Sequence, residues 1–179
     1  NASGGVSLDR AISVNNFNTS GATLLGGTNT AGTNAFNGNI GLGRDTTFAA
    51  AAGGTVAFNG ALSGAGPVTA GNATSTGSVL LAGNNTYTGA TTVAYGTLVA
   101  ANAGALGTTD AGTTIASGAT LALQGNITVA AGESLTVSGT GAGGIGAIEN
   151  RSGDNTFAGP VTLAGNTTLG ATAGTLTLS

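Results

Sequence analysis

Glu149, Arg151 and Asp154 form the one cluster of charged residues in this chain. Two carboxylates held about 5 to 10 Å apart can cleave a glycosidic bond, one as acid and the other as base or nucleophile. Arg151 stands between the two, however, and the spacing reads more simply as a solvated ion pair in a loop. The chain has neither His nor Cys. That removes most nucleophile–base schemes and the usual ligands of zinc. Asp9 with Arg10, and Arg44 with Asp45, read as local pairs at turns, which contribute little. No catalytic residue, cofactor or metal site is expected, and the chain reads as a non-enzyme.

The glycine motifs are equally poor in chemistry. Gly139, Gly141 and Gly144 match the spacing of a dinucleotide-binding turn, but that turn must open a helix. Here more glycine follows, so a flexible turn is expected. The stretch Gly143 to Ile148 opens like a calcium-binding nonapeptide, yet Ile148 stands where that motif needs Asp. Asn-x-Ser/Thr sequons occur at Asn1, Asn18, Asn72, Asn84, Asn126, Asn150 and Asn166. A chain rich in Asn and Thr contains these by composition alone.

What remains is architecture. The 179 residues suffice for one domain, taken as 1–179. Aromatic residues make up 4%, Trp and Met are absent, and 35 residues are Gly. Small residues cannot fill a wide interior at normal density but can fill a narrow one. Charged residues are 5% of the chain and the net charge is -3, so there is no basic stripe for nucleic acid. A mean hydropathy of +0.31 argues against disorder. No apolar run is long enough to span a bilayer, and no membrane insertion by this chain is expected. The absence of a basic-then-apolar leader and the abrupt ends suggest a mature or excised piece of a longer protein.

One template recurs. Asn34 to Leu42, Asn85 to Val93 and Asn155 to Leu163 all read Asn, small residue, aromatic, x, Gly, then a short apolar strand. The template positions are Asn34, Phe36 and Gly38; Asn85, Tyr87 and Gly89; and Asn155, Phe157 and Gly159. Phe58 and Gly60 form a shorter relative. Between the copies lie short alternating segments such as Thr120 to Leu123 and Leu135 to Val137, bounded by Gly, Asn or Ser. Period-two alternation between such residues predicts strands joined by turns. The segment Phe48 to Gly54 is too short for a helix and is expected to be a turn crossing. Many strands of about three to five residues favour a parallel β-helix over a sandwich or barrel. Coils of about 20 to 25 residues give roughly seven to nine turns. Leu and Val would then stack in columns, Asn in amide ladders, and Phe36, Phe58, Tyr87 and Phe157 in an aromatic stack.

The segment Leu80 to Gly107, with Asn84, Asn85, Thr86, Tyr87, Thr88, Gly89, Thr91, Thr92, Val93, Gly96, Thr97 and Leu98, closely resembles the autotransporter-associated β-strand repeat. Gly60 to Gly71 is similar to the usual lead-in, and Thr175 to Ser179 to the closing strand. The resemblance implies a right-handed parallel β-helix in a secreted bacterial passenger, a stalk or adhesive rod on the cell surface. The translocator barrel of that family is not in this sequence.

These readings lead to a structural rod as the expected function. Thr175, Leu176, Thr177 and Leu178 form a strand with no charged or Pro-bearing cap, and open strand edges invite pairing. Either flanking coils cover the ends, or the chain pairs with itself end to end. The alternative is a module that binds surface glycans through a Thr/Asn-rich face. Ice binding fits less well, because neighbouring Thr residues such as Thr91 and Thr92 point to opposite sides.

Overall fold

A computed structural model of the chain describes residues 5–15 and 23–179. The sequons at Asn1 and Asn18 lie outside the described residues. The chain winds into a β-solenoid whose successive coils each contribute a strand to up to three faces. The first coil holds β1 (Ser7–Leu8), β2 (Ile12–Val14) and β3 (Thr23–Gly27). The second holds β4 (Thr33–Phe36), β5 (Ile40–Leu42) and β6 (Thr46–Ala50), and the third β7 (Thr55–Phe58), β8 (Leu62–Gly64) and β9 (Val68–Ala70). The fourth coil has β10 (Ser78–Leu81) and β11 (Thr91–Val93), and the fifth β12 (Thr97–Ala100) and β13 (Thr113–Ile115). The sixth has β14 (Thr120–Gln124), β15 (Thr128–Val129) and β16 (Leu135–Gly139). The seventh has β17 (Ile148–Ser152), β18 (Asn155–Phe157) and β19 (Val161–Thr167). Finally, β20 (Leu169–Ala171) and β21 (Leu176–Leu178) begin an eighth.

Strands of successive coils pair in parallel. The first face runs β1-β4-β7-β10-β12-β14-β17-β20, and the third runs from β3 to β19. The second face is split into β2-β5-β8 and β15-β18-β21. Backbone bonds from Thr86 to Leu62, Thr88 to Gly64 and Thr108 to Tyr87 continue it from the third coil to the fifth. At about 4.8 Å per coil the stack is on the order of 35 Å long.

Alternation in the sequence explains which side chains enter the core. Val56, Val79, Leu98, Leu121 and Ile148 form one buried column on the first face. Phe58, Leu81, Ala100 and Leu123 form the next, two residues along. Phe48, Ala70, Val93, Ile115 and Val137 line the third face. Burying one such large side chain stabilises the fold by about 1.5 to 3 kcal/mol. Coil lengths vary, so Leu80 pairs with Val99 while Ser7 pairs with Ala35. Tight corners need residues free of Cβ strain: Gly96, at φ 66°, turns the third face into the first.

The segment Phe48 to Gly54 differs from expectation. Phe48 to Ala50 extend β6 and pair with Leu25 to Gly27, and only the residues after Ala50 form the turn. Gly26 of the previous coil lets the backbone of Ala49 lie close, since a Cβ there would collide with the Ala49 carbonyl oxygen.

Candidate functional site

The template asparagines perform one task three times. Oδ1 of Asn34, Asn85 and Asn155 accepts the backbone N–H of Val6, Leu62 and Ile127, each one coil earlier, at 2.8, 2.9 and 2.8 Å. Their Nδ2 groups donate to Asn29 Oδ1, the Ala105 carbonyl and Asn150 Oδ1, each at 2.7 Å. Asn85 thereby ties its own coil to both neighbours. A short amide with both a donor and an acceptor suits this role, because the second face there lacks a regular ladder. An outer ladder of the expected kind also forms: Asn59 donates to Asn37 at 2.7 Å, and Asn37 to Asp9 at 2.6 Å. Asn37 and then Ser7 hold the Asp9 carboxyl below its ordinary value. Asp9 thus bonds to Asn37 and Ser7, where the sequence suggested Arg10.

The template glycines permit backbone stacking. A Cβ at Gly60 would collide with the carbonyl oxygen of Gly38, and one at Gly159 with that of Glu133. Gly38 meets the Arg10 carbonyl, and Gly89 packs on Gly66 and Pro67.

The four template aromatics do not form one stack. Phe36 and Phe58 stack at 4.9 Å between centroids, and Phe48 lies 4.1 Å from Phe58. Tyr87 and Phe157 lie on the second face, while Phe36 and Phe58 lie on the first. The copies of the template land on different faces because the residues between them do not fill whole coils.

The charged cluster divides into two structural contacts. Glu149 is buried, with Arg151 at 3.3 Å and the Thr172 hydroxyl donating to it at 3.0 Å. Asp154 is exposed and accepts the Thr175 backbone N–H at 2.9 Å, tying down the last turn. Asn150, a sequon residue, is buried and donates to the Gly153 and Ala173 carbonyls. Gly141 precedes and Gly144 ends a short 3-10 turn, Ala142–Gly144, whose Ala142 N–H bonds to Thr120.

Two features escaped the sequence reading. The first is Glu133, which is 2% exposed and accepts the Thr113 hydroxyl at 2.7 Å. Thr113 pairs with Thr91, whose hydroxyl lies 2.7 Å from that of Tyr87. Burial pushes the Glu133 carboxyl up, and Thr113 offsets part of that rise. Burial also pushes the Tyr87 phenol up; Thr91 opposes this and the nearby Glu133 adds to it. These acids are sealed in the solenoid interior, out of reach of a substrate.

The second is a threonine ladder. Thr47, Thr69, Thr92, Thr114, Thr136 and Thr162 are consecutive register partners on the outer side of the third face. Each is the centre of a three-residue strand segment with inward neighbours, as in Val68–Thr69–Ala70. That repeated tripeptide was the available signal.

The ends of the stack differ from its flanks. Among the described residues the exposed large apolar side chains are Val6, Leu8 and Leu24 at one end, Leu163, Leu169 and Leu178 at the other, and Tyr95 and Ile145 between. An open hollow of about 180 Å³ lies against Val6, Leu8 and Phe36, and one of about 210 Å³ against Leu169, Leu176 and Leu178. Of the closing strand singled out from sequence, Leu176 is half-buried and Thr175, Thr177 and Leu178 are exposed.

No helix among the described residues is long and apolar enough to cross a membrane. No family model, curated protein or solved structure matches this chain.

Proposed function

We propose that the chain is a structural rod of a bacterial surface or extracellular assembly, a stalk of the passenger type or a subunit that stacks end to end. The observation that supports this reading best is the use made of its polar repeat residues. The template asparagines and glycines are committed to joining one coil to the next. The resemblance of Leu80 to Gly107 to the autotransporter-associated repeat supports a secreted, cell-surface setting. In this reading stiffness comes from stacked columns and clamps, without metal, cofactor or catalysis. Immunogold electron microscopy of source cells with an antibody to the chain tests it: label along surface stalks or fibres is expected, and label confined to the cell interior would refute it. Protease treatment of intact source cells tests the location, with loss of the chain expected.

The threonine ladder favours a second reading, adhesion to an uncharged surface glycan. Its hydroxyls form a single rank, which is also why ice binding fits poorly. Retention on polysaccharide resins that is lost in Thr92→Val/Thr114→Val would support adhesion; equal retention would remove the ladder from consideration.

A further inference from the structure

We propose that Asn72 is a glycan acceptor, modified on its side-chain nitrogen by a transferase that uses a glycosyl diphosphate. The proposal is independent of the rod reading above. Composition supplies the Asn-x-Ser/Thr sequons, and the structure separates them. Residues 72–76 leave the parallel stack between two fixed points. The N–H of Gly71 donates to the Phe48 carbonyl and that of Gly77 to the Ala50 carbonyl, at 2.8 and 2.9 Å. Both acceptors belong to β6, so the residues between Gly71 and Gly77 loop out, with Ala73, Thr74 and Thr76 exposed. Asn72 and Ser75 close the turn as an antiparallel bridge, exchanging backbone hydrogen bonds at 3.3 and 3.0 Å. Gly71, at φ 76°, begins the excursion, and a Cβ there would collide with the Tyr95 carbonyl oxygen of the next coil. The turn thus stands on a rigid base.

Inside the turn, Asn72 Oδ1 accepts the Thr74 backbone N–H at 3.0 Å and the Thr74 hydroxyl at 2.9 Å. A backbone N–H can only donate, which assigns Oδ1 to the turn and leaves Nδ2 for a partner outside the chain. These side chains join no coil to another, unlike those of Asn85 and Asn155. The other described sequons are differently placed. Asn150 is buried and its Nδ2 donates to two carbonyls. Asn126, at φ 61°, uses its Oδ1 to hold the Asp154 N–H. Asn166 lies within β19. Asn84 is exposed, but the Thr86 N–H donates to the Leu62 carbonyl and not to Asn84. Asn72 alone among them presents nitrogen and hydroxyl in one preformed turn, so little ordering is needed when an enzyme binds it. The reaction is a substitution at the anomeric carbon of the donor. Nδ2 forms the new C–N bond as the C–O bond to the diphosphate breaks. The diphosphate leaves with the electron pair, and the Nδ2 proton passes to a base of the transferase.

Peptide mapping by mass spectrometry of the chain isolated from its source tests this. A glycopeptide containing Asn72 is expected, with at most traces of sugar at Asn84, Asn126, Asn150 and Asn166. A single hexose would identify a nucleotide-diphosphate donor, and a preassembled oligosaccharide a lipid-diphosphate donor. An unmodified Asn72, or equal occupancy at Asn84 or Asn166, would overturn the proposal. A second measurement uses the unmodified, folded 179-residue chain with a soluble asparagine glycosyltransferase and UDP-glucose, read by intact mass. Addition of hexose is expected for wild type and Thr74→Ser, and its loss in Asn72→Gln and Thr74→Val. Thermal melts of the variants should match wild type, since the turn lies outside the stack. Labelling that persists in Asn72→Gln would count against the site. Surface label on source cells with Asn72 unmodified would leave the rod reading standing.

Discussion

The backbone N–H of Ile127 donates to Oδ1 of Asn155 across one coil boundary, at 2.8 Å. Asn155 is 1% exposed and its Nδ2 also reaches the Ser152 carbonyl at 2.8 Å. One side chain thus completes the hydrogen bonding of two successive coils. Leaving a buried donor unpaired costs about 1 to 3 kcal/mol. Asn155→Ala should destabilise the fold by that amount, measured by urea titration. The Ile127 amide should also exchange its hydrogen faster. An unchanged exchange rate at Ile127 would show that the clamp is dispensable.

Glu133 gives stability a pH dependence of known sign. Its carboxyl is raised in the fold by burial, so folding favours the protonated form. That contribution is fully present below the carboxyl's unfolded value. It is lost as pH rises through the folded value. Each unit of rise is worth about 1.4 kcal/mol. Glu133→Gln should therefore be more stable than wild type at neutral pH, and the gap should narrow on acidification to about pH 4. Thermal melts of both proteins across that range check this, and a gap that widens with acid would contradict it.

Glycine substitutions should separate close approach from open surface. Gly60→Ala drives a methyl group into the Gly38 carbonyl, which can yield only if two coils part. A loss of about 2 kcal/mol or more is expected. Gly165 lies exposed in β19, where the nearest atom to an added methyl would be Ser138 Cβ at 3.5 Å. Gly165→Ala should change stability by roughly 0.5 kcal/mol at most. Equal losses at the two sites in chemical denaturation would refute the stacking explanation.

Phe58 joins the second and third coils through its contacts with Phe36 and Phe48. Phe58→Ala should cost about 3 to 5 kcal/mol. Coils of a solenoid contact chiefly their neighbours, so damage should stay local. Limited proteolysis should cut the first three coils well before Leu121 to Phe157. Uniform cutting along the chain would mean that the whole stack unfolds as one unit.

The β-solenoid was legible because two local rules agree at every coil. Apolar residues alternate within short segments, as in Leu135 to Val137, and Gly or Asn marks the turns between them. Asn85, Asn155, Gly60 and Gly159 were legible as positions of the recurring template. The face on which each template falls was not. Asn34 to Phe36 belong to the first face, but Asn85 to Tyr87 and Asn155 to Phe157 belong to the second. That placement depends on the length of each intervening coil, which no local pattern encodes. Glu133 was hidden by its neighbours Gly132 and Ser134, which mark a solvent-facing turn. Its burial depends on Thr113, twenty residues earlier. The threonine ladder was obscured because Thr is common throughout, and only register shows which ones align.

The clamps and ladders run along the rod, so tension applied at its ends pulls directly against them. A coil of about 22 residues takes up about 4.8 Å when wound but spans about 75 Å when drawn straight. Releasing one coil would therefore add about 70 Å of slack before the next Asn clamp is strained. In the proposed role of a stalk, such a stack would yield in steps and limit the peak force along it. It can rewind when the pull ends, since no covalent cross-link has to break or re-form.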